Sequence, residues 1–253
     1  MTLTRPLRTA ALTVAMLPIA FGLTACGKKA DTAPVADTAI AKVAAPAGKQ
    51  WSDVIVATPD GGYLMGNPDA PLKLVEYGAL SCSHCAAFAT EGFPKLRDDY
   101  VNSGRVSYEL RFYMLNPLDV PSVLLATCAN APETVIPMAE QFWAWQPTMF
   151  TNLKAAGDSA MQQIQTLPAN QRPTMIARIT GMNEFFAQRG IATGQGSTCL
   201  NDVGRASALA SATDKATRDF NVTGTPAFIL NGRNVDVASW DGLEPLLQKA
   251  GAR

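Results

Sequence analysis

The chain has 253 residues, and its 21 lysine and arginine residues balance its 21 aspartate and glutamate residues. This balance argues against a nucleic-acid partner, because nucleic-acid-binding domains usually carry a basic face with a positive excess. Once the N-terminal segments described next are set aside, about 200 residues remain, enough for one large domain or one domain with an insertion.

The first 25 residues have the pattern of an export signal. Arg5 and Arg8 precede an uncharged apolar stretch over residues 9–23, which is typical of a signal peptide and too short for a membrane span. The stretch ends in Leu-Thr-Ala-Cys at residues 23–26, which resembles a bacterial lipobox. By that resemblance, cleavage leaves Cys26 as a lipidated N-terminus. The alternative is a plain secretory peptide that happens to contain a cysteine.

Residues 26–50 are rich in alanine, proline and lysine without an apolar period, and we predict a lipid-anchored flexible linker. As a random coil it would reach about 25–30 Å, and acyl chains on Cys26 would hold the protein to a membrane without a spanning helix. Gly27 stands where an aspartate usually retains bacterial lipoproteins at the inner membrane. The expected location is therefore the periplasm, with an anchor in the outer membrane favoured.

Residues 51–120 predict the first part of an α/β fold. We expect a first strand within residues 51–57 or 63–65, then a turn dense in glycine and proline, and a mostly apolar strand at 72–77. Apolar residues at helical spacing predict a helix from 83 to about 100, kinked at Pro94. An alternating pattern then predicts a strand over residues 105–113.

The motif Cys82-Ser83-His84-Cys85 stands where the 72–77 strand passes into this helix. Two thiols at this spacing can close and reopen a small disulfide, which is the chemistry of thiol–disulfide exchange. The unpaired N–H groups and the positive dipole end of the helix favour a thiolate at Cys82, the predicted nucleophile. His84 would add positive charge beside that sulfur, and Cys85, one turn deeper, is the predicted resolving thiol.

A zinc site and an inert structural disulfide are the alternative interpretations of this motif. A structural zinc site needs four ligands, whereas His84 is the only histidine and the other cysteines stand alone in the sequence. We therefore predict no metal site.

Residues 121–213 carry helical patterns broken by several prolines and show no convincing strand, so we predict an inserted all-helical domain. Four aromatic residues in its first half are interpreted as core rather than as a ligand site: Phe142, Trp143, Trp145 and Phe150.

Residues 214–253 predict the second part of the α/β fold. The end of a helix leads to a strand that turns at Asn231-Gly232, a dipeptide that favours hairpins, into a further strand near Val235. A closing helix follows, in which Asp241 and Glu244 have capping-box spacing. The order of elements fits a central mixed sheet covered by helices.

The remaining cysteines, Cys128 and Cys199, are 71 positions apart. Without the lipid-bearing Cys26, four of the five cysteines remain. An even number in an exported protein favours a structural disulfide between Cys128 and Cys199, and two buried free thiols are the alternative. Such a bond would stabilise the fold by roughly 4 kcal/mol on the chain-entropy model.

From residue 66 to residue 250 the chain resembles the thioredoxin-fold family, in its DsbA-type branch of exported thiol oxidoreductases with a helical insert. The resemblance rests on several motifs together: the 66–71 turn, Glu76 six residues before Cys82, the CxxC motif with its histidine, the helical insert, and Gly224-Thr225-Pro226.

This resemblance implies that Pro226 is cis and faces the disulfide, with Thr225 presenting its backbone to a bound peptide and Gly224 beside it. It also implies that Glu76 is a buried carboxylate that assists proton transfer to and from Cys85. The enzyme would need no cofactor beyond its redox-active disulfide. It would act on unfolded or partly folded exported proteins that contain cysteines, and a membrane quinone-linked thiol oxidase would reoxidise it.

Two residues depart from the family's strong oxidases. Ser83 stands where proline is commoner, and Thr225 stands where valine is often found. The leading interpretation is a disulfide-forming oxidase working through Cys82 and Cys85. A reductase or isomerase is a second interpretation, although isomerases of this fold usually carry a dimerisation domain that residues 27–50 are too short to supply, so a monomer is expected. A third is a non-enzymatic lipoprotein that uses the fold for binding.

Overall fold

The computed structural model describes residues 1–2 and 38–253. The predicted lipidation site, Cys26, and almost all of the predicted signal segment lie outside these residues. Over residues 38–253 the structure confirms the predicted fold class, a mixed sheet flanked by helices with a helical insertion.

Six strands form one sheet in the described part of the chain. They are β1 (Ile55–Ala57), β2 (Tyr63–Met65), β3 (Leu72–Gly78), β4 (Val106–Phe112), β5 (Ala227–Leu230) and β6 (Arg233–Asn234). Their order across the sheet is β1-β2-β4-β3-β5-β6, and only β3 and β4 are parallel neighbours. Because Gly78 pairs with Phe112, both central strands end at the same edge of the sheet. The CxxC motif follows β3 at that edge.

Helices cover both faces of the sheet and fill the insertion. They are α1 (Ser83–Glu91), α2 (Phe93–Lys95), α3 (Asp119–Ala126), α4 (Pro132–Thr166), α5 (Arg172–Thr180), α6 (Met182–Ala187), α7 (Thr193–Leu200), α8 (Val203–Phe220) and α9 (Trp240–Lys249), with a π-helix at Leu96–Val101 and 3-10 turns at Trp51–Asp53 and Ala169–Gln171. Phe88 of α1 packs on Phe228 of β5 with ring centroids 4.8 Å apart. On the opposite face, Ala216 of α8 packs with Tyr77 and Ile229.

The insertion runs from α3 to α8, between β4 and β5, and is somewhat longer at both ends than the predicted 121–213. Its core centres on Phe142, whose ring lies 5.4 Å from that of Phe185 and 5.5 Å from that of Phe186. Of the predicted aromatic core, Phe150 is instead 39% exposed. A disulfide joins Cys128, just after α3, to Cys199 in α7.

The helix breaks differ from the prediction. Pro137 and Pro147 lie inside α4, and the interruption comes at Gly157, with φ of 74°. A proline inside a helix costs about 3 kcal/mol or more, which the buried aromatic residues of α4 offset. In the helix predicted from residue 83 to about residue 100, the break is at Gly92, between α1 and α2, rather than at Pro94. A Cβ at Gly92 would lie 2.6 Å from the Cβ of Trp240, so close helix packing requires glycine there.

The closing helix α9 is not capped as predicted. Ser239 occupies its N-cap position, so Asp241 and Glu244 form no capping box. The Glu244 carboxylate instead accepts a hydrogen bond from the Tyr100 hydroxyl at 2.8 Å. Asp241 and Glu244 have the spacing of a capping box, but Glu244 makes this tertiary hydrogen bond instead of capping the helix.

The predicted linker is partly folded against the domain. Ile40 donates its backbone N–H to Gly251 at 2.9 Å, and Val43 donates to Ser103 at 3.0 Å. The Trp51 indole donates to the Val43 carbonyl at 2.8 Å. The prediction of a flexible linker over residues 26–50 is therefore wrong for residues 40–50, because partly buried apolar side chains such as Ile40 hold this segment in place. Among the described residues, no helix combines the length and apolar character that crossing a bilayer requires.

Candidate active site

Cys82 occupies the N-cap position of α1, directly after the loop that leaves β3. Its backbone is extended, with φ of −82° and ψ of 121°, and its sulfur accepts a hydrogen bond from the Cys85 N–H at 3.4 Å. A helix N-terminus presents backbone N–H groups without partners inside the helix, so a thiolate at this position is stabilised. The sequence prediction placed the nucleophile at this helix end for the same reason.

The pKa of Cys82 is lowered to about 5. Hydrogen bonding with the Cys85 thiol is the largest cause, and the backbone N–H groups of Cys85 and His84 also lower the pKa, while burial opposes them. The residue is 5% exposed. Cys82 is therefore mostly a thiolate at neutral pH, with a small part of its surface open to a partner.

Cys85 is fully buried and differs sharply from its neighbour. Burial, then the hydrogen bond to Cys82 and the negative charges of Glu76 and Cys82, raise its pKa well above the usual value. The pair therefore consists of an ionised sulfur near the surface and a protonated sulfur beneath it. This division of roles suits an attacking and a resolving thiol.

Glu76 lies on β3 beneath the two cysteines and is fully buried. Its Oε2 accepts a hydrogen bond from the Tyr108 hydroxyl at 2.7 Å, whereas Oε1 has no partner. Burial raises the pKa of Glu76 to about 8, and the charge of Cys82 adds to this, while the Tyr108 hydrogen bond opposes it. A carboxyl with this pKa can take up and release a proton near neutral pH.

The loop before β5 faces the nucleophile. The Thr225–Pro226 peptide bond is cis, and the Cys82 sulfur lies 3.2 Å from the Thr225 carbonyl oxygen, which accepts a hydrogen bond when the thiol is protonated. Gly224 is half-buried, and a Cβ on it would meet no atom within 4 Å. A groove of about 270 Å³ runs along this loop, lined by residues 221–227, Asn234 and residues 236–238.

His84 has an exposed side chain that makes no hydrogen bond within the described structure. Its contribution to the low pKa of Cys82 comes from its backbone N–H group. The predicted role of the imidazole as a source of positive charge stays a prediction.

Three residues of the insertion hold the active-site loop, and two of them, Gln146 and Asp119, are not among the predicted site residues. Gln146 donates to the carbonyls of Leu80 and Cys82 at 2.7 and 3.1 Å. The buried Asp119 accepts from the N–H of Ser81 at 2.8 Å and from its hydroxyl at 3.0 Å. Trp143, predicted only as core, donates its indole N–H to Ala79 at 3.0 Å. No local sequence signal marks Gln146 or Asp119, because their partners lie 66 and 38 positions away.

Among residues 38–253, no group of three or more histidine, cysteine, aspartate or glutamate side chains is placed to hold a metal ion.

The raised pKa of Glu76 predicts a pH-dependent penalty on folding. Below about pH 4.5 the carboxyl is protonated in both the folded and the unfolded chain, whereas between about pH 4.5 and 8 only the folded chain keeps the proton, so stability is lost as the pH rises. The neutral variant Glu76→Gln escapes this loss. Its stability relative to wild type should increase by roughly 3 kcal/mol from about pH 5 to about pH 8.

Urea denaturation at a series of pH values measures this difference, with Cys82 and Cys85 verified as free thiols in both proteins. The lowered pKa of Cys82 has the opposite effect, because it makes the folded state more stable as the pH rises from about 5 to about 9. Wild type and Glu76→Gln share this contribution, so it cancels when their stabilities are compared. Parallel stability curves for the two proteins would show that Glu76 is ionised in the folded state.

The fold and the site together define a class: proteins with a thioredoxin fold, a helical insertion and a dithiol at a helix N-terminus beside a cis-proline loop. The family described as "Thioredoxin" matches residues 58–249, and the chain belongs to this family. The predicted relationship to the thioredoxin-fold family is thereby confirmed.

Solved structures with the same fold come from bacteria. A protein-disulfide isomerase from Novosphingobium aromaticivorans is 29% identical, with a TM-score of 0.71, over 75% of this chain and 96% of that one. The alpha-DsbA1 protein of Wolbachia pipientis, at 17% identity and a TM-score of 0.59 over 78% of this chain and 94% of that one, shares the fold. These neighbours confirm the DsbA type of the fold.

Sequence relatives agree with this assignment. A Rickettsia prowazekii protein with the provisional name protein-disulfide oxidoreductase is 23% identical over 76% of this chain and 62% of its own length. The chain thus spans about three fifths of that relative. Disulfide bond formation protein D of Bacillus subtilis is 32% identical over 24% of this chain and 28% of its own length.

Proposed function

We propose that this protein is a thiol–disulfide oxidoreductase that exchanges its Cys82–Cys85 disulfide with the cysteines of other proteins. The observation that carries the proposal is the unequal dithiol: a Cys82 thiol with a pKa of about 5 beside a buried Cys85 with a raised pKa. An ionised attacking sulfur and a protonated resolving sulfur are the two states that exchange requires. The names of the sequence relatives support the same activity.

In the oxidising direction a substrate thiolate attacks the Cys82 sulfur of the enzyme disulfide. The new bond joins substrate and Cys82, and the electron pair of the broken bond goes to the Cys85 sulfur, which takes a proton. A second substrate thiolate then attacks the substrate sulfur of the mixed disulfide, and Cys82 leaves as a thiolate. The substrate gains a disulfide, and the enzyme holds the two electrons as a reduced dithiol.

The low pKa of Cys82 supports the oxidase direction. At pH 7 the ionisation of Cys82 favours the reduced form of the enzyme about 100-fold, compared with a thiol of ordinary pKa in the same place. This preference raises the reduction potential by about 60 mV. A disulfide that is more easily reduced is a better donor. The substrates proposed are exported proteins that contain cysteines, and reoxidation by a membrane quinone-linked thiol oxidase completes the cycle.

A reductase or isomerase is the second candidate. The solved neighbour with a TM-score of 0.71 is described as a protein-disulfide isomerase, and Thr225 stands beside Cys82 instead of the valine expected of strong oxidases.

The reduction potential separates these two directions. We expect equilibration with glutathione buffers at pH 7, followed by tryptophan fluorescence, to give a potential well above the roughly −270 mV of thioredoxin, toward the roughly −120 mV of strong oxidants. A potential near that of thioredoxin would favour the reductase.

Alkylation kinetics test the ionisation of Cys82 directly. The reaction of Cys82 with iodoacetamide should show an inflection near pH 5 and change little between about pH 6 and 8, because the thiolate is already formed. Free glutathione, the control, should react faster with each unit of pH over the same range. A Cys82 profile that rises only above about pH 8 would remove the basis of the proposal.

We also propose that the protein works in the bacterial cell envelope, held to a membrane through a lipidated Cys26. The lipobox-like residues 23–26 support this location. Metabolic labelling with a radioactive fatty acid should mark the wild-type protein and leave Cys26→Ala unlabelled. Equal labelling of both proteins would place the lipid elsewhere.

A further inference from the structure

We propose that Tyr108 is a positioning residue for the proton transfer at Cys85: its hydroxyl fixes Glu76 Oε2 and leaves Glu76 Oε1 to exchange the proton. The inference rests on the proposed function and deepens it. It assigns a role to a tyrosine on β4, a strand that carries no part of the CxxC motif.

The two carboxylate oxygens of Glu76 have different surroundings. Oε2 is held by Tyr108 at 2.7 Å, and Oε1 is buried without a partner. Oε1 lies against the end of β3, where a Cβ on Gly78 would be 3.2 Å from it. The Cys85 thiol is within hydrogen-bonding reach of the backbone of Ala79, the next residue. Glu76 Oε1 and the Cys85 sulfur therefore both lie next to the segment formed by Gly78 and Ala79.

Tyr108 is itself firmly placed. It is 1% exposed, and its ring packs on that of Phe93 at 4.9 Å. Its strand lies parallel to β3, with Tyr108 opposite Leu74, so its hydroxyl reaches the side chain two residues further along. Burial and the Glu76 charge raise its pKa well above the usual value, so the hydroxyl remains a donor throughout the working range.

The ionisable groups around the carboxyl come from three elements: Cys82 and Cys85 from α1, Tyr108 from β4, and Glu140 of α4, which acts on Tyr108. The fourth neighbour, β5, contributes the apolar Phe228 opposite Glu76. Glu76 forms no salt bridge with a lysine or arginine in the described chain. A cation at this place would hold the carboxyl ionised, whereas a neutral hydroxyl stabilises the carboxylate and still permits its protonation near neutral pH.

The proton step follows from this arrangement. When a substrate thiolate breaks the enzyme disulfide, the electron pair passes to the Cys85 sulfur, and the proton on Glu76 Oε1 moves to that sulfur. The carboxylate left behind is stabilised by the Tyr108 hydroxyl until solvent returns a proton. In the opposite direction Glu76 removes the proton from Cys85 as its sulfur attacks a mixed disulfide on Cys82.

Tyr108→Phe tests the inference in the full chain carrying Cys26→Ala, so that only Cys82 and Cys85 react. Stopped-flow mixing of the reduced protein with 5,5′-dithiobis(2-nitrobenzoate) should release two equivalents of nitrothiobenzoate, the first when Cys82 attacks and the second when Cys85 resolves the mixed disulfide. In wild type the second phase should accelerate through an inflection somewhat below pH 8, because Glu76 has a pKa of about 8 beside the Cys82 thiolate and loses that neighbouring charge in the mixed disulfide.

Loss of the hydroxyl should move this inflection upward by roughly one unit and slow the second phase at pH 7 by roughly tenfold. The first phase should stay within about twofold, since Tyr108 does not touch Cys82. Replacing Tyr108 with 3-fluorotyrosine, a more acidic donor of nearly the same shape, should move the inflection downward. This second variant keeps the inference falsifiable even if Tyr108→Phe folds poorly.

Tyr100→Phe is the matched control, because it removes another tyrosine–glutamate hydrogen bond, to Glu244 at 2.8 Å, away from the dithiol. Both of its phases should match wild type.

In Glu76→Gln the inflection should vanish, and adding Tyr108→Phe to that variant should change nothing further. If Tyr108→Phe and the fluorotyrosine protein both follow the wild-type profile while Glu76→Gln loses the inflection, the role of Tyr108 is refuted. If wild type shows no first phase, the proposed function itself has failed.

Discussion

Replacing Cys82 with serine is expected to reduce catalysed disulfide exchange to the uncatalysed background. A hydroxyl cannot form the mixed disulfide, and the buried Cys85, with its raised pKa, cannot take over the attack. Oxidative refolding of a reduced, denatured protein and reduction of insulin measure the two directions, and both should be lost. The variant should fold normally, because the serine hydroxyl can accept the same N–H group at the helix N-terminus.

Cys85→Ser should behave differently from Cys82→Ser. It retains the attacking thiolate but lacks the resolving thiol, so it should accumulate a mixed disulfide with substrate that appears on a non-reducing gel. A protein with both Cys128→Ser and Cys199→Ser, which loses cysteines outside the site, is the control and should keep its exchange activity. Persistent activity in Cys82→Ser would show that Cys82 is not the nucleophile, and absence of activity in the wild type would favour a binding protein that uses the fold without this chemistry.

Removal of the disulfide between Cys128 and Cys199 should have the largest effect on stability. The bond closes a loop of 71 residues, and on the chain-entropy model its loss costs roughly 4 kcal/mol. Urea denaturation of the double serine variant should show this as a lower midpoint. The bond joins the segment just after α3 to α7 and does not touch the cysteine pair, so the pKa of Cys82 should be unchanged.

A double alanine variant at the same two positions separates the covalent bond from hydroxyl effects of serine. Both variants should lose about the same stability if the cross-link is responsible. An unchanged midpoint in both would indicate that the helical insertion is held by its aromatic core alone, centred on Phe142.

The central elements could be read from the sequence because their signals are local. The alternation of Val106, Tyr108, Leu110 and Phe112 predicted β4, and the CxxC motif after an apolar run placed the nucleophile at a helix N-terminus. The cis peptide bond before Pro226 could be expected only from the family resemblance, since an unselected X-Pro bond is cis in only about one case in twenty.

The supporting contacts of the site could not be predicted in this way. Tyr108 looked like one more core residue of a strand, and its hydroxyl gains a function only where β3 brings Glu76 beside it. Gln146 and Asp119 act on loop residues far away in the chain. The folding of residues 40–50 was missed for a related reason, because a few apolar residues between alanines and prolines show no periodicity.

The docked N-terminal segment, residues 40–50, lies at the end of the domain opposite the two cysteines. It contacts Ser103, just before β4 begins, whereas the cysteines lie past the end of the parallel strand β3. Seven residues of strand separate these two ends, a span of about 20 Å. Under the proposed anchoring through Cys26, the tether would join the domain at the end away from Cys82, leaving the sulfur at the other end for incoming polypeptides.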